Sequence, residues 1–403
     1  MSAEPRTLVF TQTVKTSIAQ VFRAFTNSTL LREWFCDTSV IEPKAGGRFY
    51  FRWNAGFYAS GHFLAFQPNE SFSLFWNGRD EPTPTTVTVS FSEEKGATLV
   101  RVEQQGVGIG PEWRKTIEEI EKGWVTSLEN LTSVLDTGED QRFTRRPMLG
   151  IMTTDFNPEV AVLLGVPVTQ GIRLDGTIEG MGARKAGLLK DDVVIQLAGK
   201  EVVDWGSLAA ALQSHSAGDT VEVVFYRGSE RKTTPMTLSG RPVPPMPQSL
   251  NALVEIVRKR VKNSQVELDL ILKAITDAEA SKRPAPEEWN VKEVIAHLIH
   301  GERGYQEWLS EVVTSQEPHY DDFGGNIHAR VQATVAVFPT LEDLRLEFER
   351  VGKETIELFE RLPESFRQQK ATYWRVAYGE TGGPLHLQTH LAQIKAAIEF
   401  ARQ

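Results

Sequence analysis

Residues Arg241-Pro242-Val243-Pro244-Pro245-Met246-Pro247 decide how the chain is organised. Each proline removes a backbone N–H and fixes φ, so the stretch is neither helix nor interior strand. It is read as a stiff, extended spacer. Before it, apolar residues alternate between turns. After it, they recur at helical spacing. A second, polar seam, Gly138-Glu139-Asp140-Gln141-Arg142, follows a helical pattern. The 403 residues therefore read as three modules, 1–138, 145–241 and 250–403, in keeping with roughly 100–200 residues per domain.

A formal net charge of −9 argues against a general nucleic-acid binder, which would carry a basic footprint. A single cysteine, Cys36, rules out an internal disulfide framework and suits a reducing compartment. It reads as a small packed hydrophobe beside Trp34-Phe35. Met1-Ser2-Ala3-Glu4-Pro5-Arg6 lacks a signal-peptide pattern. No apolar run approaches the ~18 residues of a membrane helix. The expectation is a soluble, cytoplasmic protein with neither nucleic acid nor membrane as partner.

Beyond the spacer, four helices are expected, joined by one long polar connection from Gln316 to Pro339. The first begins at Leu250 and the second at Trp289-Asn290. Thr340 caps the third, and the fourth carries His386-Leu387-Gln388-Thr389-His390. Residues i and i+4 share a helix face, so His386 and His390 supply half of a divalent-metal site. A catalytic centre usually takes three protein ligands and keeps a position open. His297, flanked by Ile295 and Leu298 on the second helix, is the candidate third. Trp289, His297, His386, His390 and Gln393-Ile394 together resemble the DinB-like superfamily of metal-binding four-helix bundles. The resemblance implies His297, His386 and His390 as ligands of a divalent transition metal. Imidazoles suit Zn, Ni or Fe without choosing among them. Family members include metal-dependent transferases and hydrolases. Glu302, and less so His300, stand one turn along as a general base or supporting partner. His319 and His328 read as solvated.

In the middle module, Ala186-Gly187-Leu188, Asp191-Asp192-Val193-Val194 and Gly199-Lys200 resemble the centre of a PDZ domain of the bacterial, HtrA-associated kind, with Asp191 where many members have glycine. The resemblance implies that the loop Met148-Leu149-Gly150-Ile151 receives a peptide's C-terminal carboxylate. The peptide then adds as a strand to the sheet edge, with Leu208 and Leu212 walling its side-chain pocket. The other reading is a PDZ fold kept as a spacer. No Gly-x-Ser-x-Gly elbow supports serine proteolysis.

The first module alternates a strand, a short helix (Val21, Phe22 and Phe25 apolar), further strands and a long closing helix. In Arg48-Phe49-Tyr50-Phe51-Arg52-Trp53, aromatic and polar side chains take opposite faces. Val21-Phe22-Arg23-Ala24-Phe25-Thr26, Trp34-Phe35, Gly46-Gly47-Arg48-Phe49, Gly61-His62-Phe63 and Gly123-Trp124 resemble the SRPBCC (START-like, helix-grip) superfamily, in its Aha-type branch. The resemblance implies a hydrophobic cavity between sheet and helix for a small apolar ligand. Trp34, Phe51, Trp53, Phe63, Trp76 and Trp124 either line that cavity or fill a core.

The fold class expected is thus multidomain: an α+β helix-grip domain, a β-rich PDZ domain and an all-α four-helix bundle. Two functions are weighed. One is a metal-dependent transferase or hydrolase whose other domains recruit substrate or partner. The other is a non-catalytic adaptor or stress-response protein that binds an apolar ligand and a peptide C-terminus.

Overall fold

The computed structural model describes residues 5–213, 215–273, 275–317, 327–383 and 385–403. They form two compact units, one made of Met1–Glu139 with Pro244–Gln403 and the other of Asp140–Val243. Among the described residues no helix is long and apolar enough to cross a membrane.

The first unit opens with β1 (Arg6–Val14), α1 (Ile18–Thr26), α2 (Ser28–Trp34), β2 (Thr38–Ile41), β3 (Arg48–Arg52), β4 (Tyr58–Gln67), β5 (Ser71–Gly78), β6 (Thr85–Glu94), β7 (Ala97–Val107) and α3 (Arg114–Thr137). The strands make one antiparallel sheet in the order β1-β7-β6-β5-β4-β3-β2. Period-two alternation does what the sequence leads one to expect. Phe49 and Phe51 are buried while Arg48, Tyr50 and Arg52 are exposed. Ile120, Trp124, Leu128 and Leu131 of α3 enter the same apolar core as Phe72, Val89 and Val100 of the sheet. That shared burial is the main force clamping helix to sheet. The helix stops at Gly138, whose φ of 87° suits glycine.

The second unit contains α4 (Gln141–Thr144), β8 (Ile151–Thr154), α5 (Pro158–Leu164), β9 (Ile172–Thr177), α6 (Gly182–Lys185), β10 (Val193–Leu197), β11 (Lys200–Glu201), α7 (Trp205–Leu212), β12 (Thr220–Arg227) and β13 (Glu230–Thr237). Its sheet runs β13-β12-β10-β9-β8, which leaves β8 at an edge. Asp191 has φ 67°, the conformation that glycine adopts freely. A carboxylate is held there by Arg173, whose Nη2 donates to Oδ1 at 2.6 Å. Asp192 is fully buried and is paired by Arg227 through two bonds of 2.8 Å.

The chain then returns to the first unit with α8 (Leu250–Leu272), α9 (Asp277–Ala280), α10 (Val291–Val313), α11 (Ile327–Val337), α12 (Leu341–Glu360), α13 (Lys370–Gly382) and α14 (His386–Ala401). The four expected helices are α8, α10, α12 and α14. Asn290 with Glu293, and Thr340 with Asp343, close capping boxes at the starts of α10 and α12. Three further helices were not anticipated, the first being the short α9. α11 lies inside the supposed connection Gln316–Pro339, where Val331 and Thr334 are buried. α13 buries Thr372, Tyr373, Trp374, Val376 and Ala377.

Within this unit the bundle docks on the helix-grip part through polar contacts that α2 and α3 make with α13 and with Glu317, just past α10. Arg32 Nη2 donates to the Glu317 carbonyl at 2.7 Å, and Arg375 Nη1 to Glu317 Oε2 at 2.9 Å. Thr372 Oγ1 donates to Glu33 Oε1 at 2.6 Å, and Lys370 Nζ to the Asp136 carbonyl at 2.8 Å.

Candidate metal centre and ligand cavities

The amphipathic stripes of α10 and α14 bury Val294, Ile295, Leu298, Leu387 and Ile394 in one apolar cluster. That packing sets the two helices side by side and carries three imidazoles to one place. Ring centroids are 5.0 Å apart for His297–His386, 4.8 Å for His297–His390 and 5.0 Å for His386–His390. The donor nitrogens of the three lie within 4.8 Å of one another. A zinc-like ion holds imidazole nitrogen at about 2.0–2.1 Å, so two donors on one ion are at most about 4.2 Å apart. Small rotations of the rings close that gap, and the residues fit a divalent ion.

Protonation fits as well. Burial, reinforced by His386, His390 and His300, pushes the His297 imidazole down to about 4. Partial covering of its ring, and then His390, lower the His386 imidazole below its usual value. Neutral rings keep the lone pairs a metal needs. His390 Nδ1 stands 2.9 Å from Gln393 Oε1. With the amide oxygen accepting, this contact puts the proton on Nδ1 and leaves the Nε2 lone pair for a metal. His386 is exposed at the first position of α14, which leaves one side of the site open.

Behind His386 the bundle contains a cavity of about 300 Å³, whose walls include Val257, Leu298, Glu302, Tyr305, Glu380 and His386. Glu302 accepts from Thr355 Oγ1. Burial outweighs that bond and raises its carboxyl above the usual range. Glu380 takes Tyr305 Oη at 2.6 Å and Arg260 Nε at 3.1 Å. His300 points elsewhere, bonding the Arg330 carbonyl at 3.0 Å and Thr334 Oγ1 at 2.7 Å through Nε2. His328 is exposed, and His319 lies outside the described residues.

In the second unit Leu149 and Leu208 are buried in one cluster, with Ile151 and Leu212 partly buried against it. Gly150 has φ 79°, and a Cβ there would lie 2.2 Å from Met181 Cβ. The Leu149 and Gly150 carbonyls accept from Ala183 N and Ile178 N, each at 2.8 Å. These bonds fix the loop at the head of the edge strand β8, which begins at Ile151.

The helix-grip part has its own cavity, of about 600 Å³, between α3 and one end of the sheet. Of the six aromatics proposed for it, Trp53, Trp76 and Trp124 line it. Phe51 and Phe63 border only a void of about 20 Å³ deeper in the core. Trp34 is 1% exposed and is bonded through Nε1 to the Ala24 carbonyl at 3.0 Å. These three are packing residues. Their rings pack on others of the core, such as Phe25 for Trp34 and Phe72 for Phe63. Cys36 is fully buried.

Three families match successive stretches of the chain: residues 15–136 match the activator of Hsp90 ATPase homolog 1-like proteins, 147–238 the PDZ domain and 260–394 the DinB superfamily. The chain joins an Aha1-type, a PDZ and a DinB-type domain in that order. Among curated proteins it is similar to the serine protease Do-like HtrA of Lactococcus lactis subsp. lactis (strain IL1403), 29% identical over 154 residues, or 36% of this chain and 38% of that protein. It is also similar to a probable periplasmic serine endoprotease DegP-like of Marinomonas sp. (strain MWYL1), 27% identical over 28% of this chain and 24% of that protein. The HtrA similarity falls in the PDZ region, and the chain spans under two fifths of the length of these relatives. Solved structures similar to it include a Mesorhizobium loti protein, 27% identical, TM-score 0.30, covering 32% of this chain and 97% of that one. The Aha1 dimer from Colwellia psychrerythraea is 18% identical, TM-score 0.29, with coverage of 32% and 96%.

Two features of the sites escaped the sequence reading. In the DinB-type domain, Gly301 stands four residues after His297, and a Cβ there would lie 2.5 Å from His386 Nδ1. A glycine in mid-helix costs about 1 kcal/mol against alanine, which was the available signal. In the Aha1-type domain, Glu81 lines the cavity and accepts from Trp76 Nε1 at 3.0 Å. Nothing in its turn sequence, Asp80-Glu81-Pro82, marks it.

Proposed function

We propose that the DinB-type domain binds a divalent transition metal through His297, His386 and His390, and that it acts as a metal-dependent transferase or hydrolase. The observation that carries this is the convergence of three imidazoles beside a cavity that His386 itself borders. Zn, Ni and Fe all suit such donors. When bound, the ion supplies Lewis acidity at its open positions. The chain's own residues supply the rest. Gln393 holds the His390 tautomer, and the apolar wall of Val257 and Leu298 orients a substrate's hydrocarbon part. Glu302, with its raised carboxyl, takes or returns a proton. In the PDZ domain, Leu149, Gly150 and Ile151 receive the C-terminal carboxylate of a protein partner. That partner lies along β8, with Leu208 and Leu212 beneath its last side chain. The Aha1-type domain takes a small apolar ligand between Trp53, Trp76 and Trp124. A single buried cysteine suits a cytoplasmic setting.

Elemental analysis of the purified chain tests the metal centre. The expected result is close to one equivalent of a single transition metal, lost in the His386→Ala variant. Less than about a tenth of an equivalent, with no uptake on reconstitution, overturns it. A second reading, a non-catalytic adaptor, is favoured by the roomier cavity of the Aha1-type domain. It gains support if the metal binds and melting rises, yet no thiol, ester or amide substrate turns over.

A further inference from the structure

The cavity of the Aha1-type domain has a chemical bias that an apolar ligand does not use. Its wall is a run of touching rings: Phe57 to Trp53 at 5.3 Å, Trp53 to Phe35 at 5.0 Å, Phe35 to Trp124 at 5.5 Å and Trp124 to Trp76 at 6.2 Å. Every indole N–H of this wall is already committed. Trp53 Nε1 donates to the Phe35 carbonyl at 2.5 Å, Trp124 Nε1 to Gln104 Oε1 at 3.0 Å and Trp76 Nε1 to Glu81 Oε1 at 3.0 Å. Gln104 Nε2 gives one of its two N–H groups to Thr85 Oγ1 at 2.9 Å. The wall therefore offers a ligand its π faces and no indole donor. Thr116 and Ser127 add hydroxyls that serve either role.

Glu81 breaks the apolar character. One of its oxygens accepts from Trp76, while Oε2 is buried and has no hydrogen-bond partner among the described residues. The other charged residues lining the cavity are matched in pairs, Arg79 with Asp80 at 3.3 Å and Lys115 with Glu119 at 3.4 Å. That leaves Glu81 as the carboxylate without a cation. Gly78 makes its seat, since a Cβ there would lie 2.1 Å from Glu81 Oε1. A buried, half-satisfied acceptor costs free energy unless something completes it. Aromatic faces around a site attract cations in particular.

We propose that this cavity binds a small amphiphile carrying a protonated amine. The ammonium pairs with Glu81 and meets the faces of Trp53, Trp76 and Trp124, and the hydrocarbon part fills the space beyond. The proposal rests on the reading of this cavity as a ligand site and adds the charge of the ligand to it. An acid of the same length meets like charge at Glu81, and the cations of the wall, Arg79 and Lys115, already have Asp80 and Glu119 beside them. A neutral alcohol gains the apolar contacts alone. Burial raises the Glu81 carboxyl to about 6, against its hydrogen bonds from Trp76 and Gly78. Protons therefore compete with the amine as pH falls through that value, whereas an alkylammonium stays charged throughout.

The test is isothermal calorimetry of the full-length chain with octylamine, octanol and octanoate as probes. At about pH 7.5, octylamine should bind at least about tenfold more tightly than octanol, and octanoate more weakly than either. The preference for octylamine should shrink at about pH 5, where Glu81 is largely protonated. In Glu81→Gln, octylamine and octanol should bind within about twofold of each other, with octanol unchanged from wild type. Circular dichroism checks the variant's fold, and the wild-type comparison stands if that variant fails to fold. Equal binding of octylamine and octanol to wild type overturns the amine and leaves the cavity standing. Absence of binding by all three probes overturns the cavity reading and the amine with it.

Discussion

Gly301→Ala separates the metal centre from the stability of the bundle. The new Cβ would fall 2.5 Å from His386 Nδ1 and 2.6 Å from its Cε1. Comfortable contact begins near about 3.5 Å, so the imidazole must retreat by roughly 1 Å. His386 is exposed at the start of α14 and has solvent to retreat into, so the fold loses little. Alanine in mid-helix is favoured over glycine by about 0.8–1.0 kcal/mol. The metal-free variant should accordingly melt at or slightly above wild type. Metal affinity should move the other way. Donor distances tolerate only about 0.2 Å, and a ligand held about 1 Å away is no ligand. The loss should be at least about tenfold, or ~1.4 kcal/mol, and near a hundredfold if His386 drops out altogether. Competition for Zn against a chromophoric chelator gives the affinity, and thermal melts in excess chelator give the metal-free stability. Wild-type affinity in Gly301→Ala would refute the placement of His386 as a ligand.

Glu317→Ala removes the carboxylate that Arg32 and Arg375 share, while the Glu317 carbonyl that Arg32 also reaches and the Glu33 carboxylate beside Arg375 remain. About 3 kcal/mol should be lost in urea unfolding, and a loss under about 1 kcal/mol would count against this docking. Glu33 behaves in the opposite way, because burial raises its carboxyl above the usual range. A group raised on folding contributes stability below its unfolded pKa, and that contribution disappears as pH rises through the folded value. At neutral pH its charge is therefore a cost, while Glu33→Gln keeps an oxygen to accept from Thr372. The variant should melt higher than wild type near neutral pH, with the difference fading below about pH 4.5; a lower melting point at neutral pH contradicts this. For the PDZ domain, peptides selected from a C-terminal library should lose at least about tenfold in affinity on C-terminal amidation, and peptides indifferent to amidation would dismiss the role given to Leu149, Gly150 and Ile151.

Much of this could be read in the residues because the signals are local and periodic. His386 and His390 announce themselves by spacing, and His297 by its place in an apolar helical stripe. Asp191 marked a departure from the PDZ pattern, and its φ of 67° shows what glycine would have eased there. α13 was missed because it is buried on several sides. Thr372, Tyr373, Trp374, Val376 and Ala377 leave no polar face for a stripe to stand out against. α11 is short, but Val331 and Val335 do recur at one-turn spacing; the polar run before it obscured them. The aromatics of the helix-grip domain show a different limit. Phe49, Phe51 and Trp53 share a face by alternation, yet β3 ends at Arg52. Phe51 thus sits inside the sheet's core while Trp53, just past the strand, reaches the cavity. Alternation gives the face, whereas depth along the sheet depends on contacts far away in sequence.

The docking of α2 onto α13 has a consequence for synthesis. Glu33 meets Thr372 across 339 positions of chain, with the whole PDZ domain translated in between. At about 5–20 residues per second, the Aha1-type domain leaves the ribosome roughly 17–68 seconds before its counterpart emerges. During that time Arg32 and Glu33 face solvent, and the rest of the domain must hold its shape through the sheet and α3 alone. A charged docking face is well suited to such a wait. Its charges stay hydrated, as an exposed run of Leu or Phe would not.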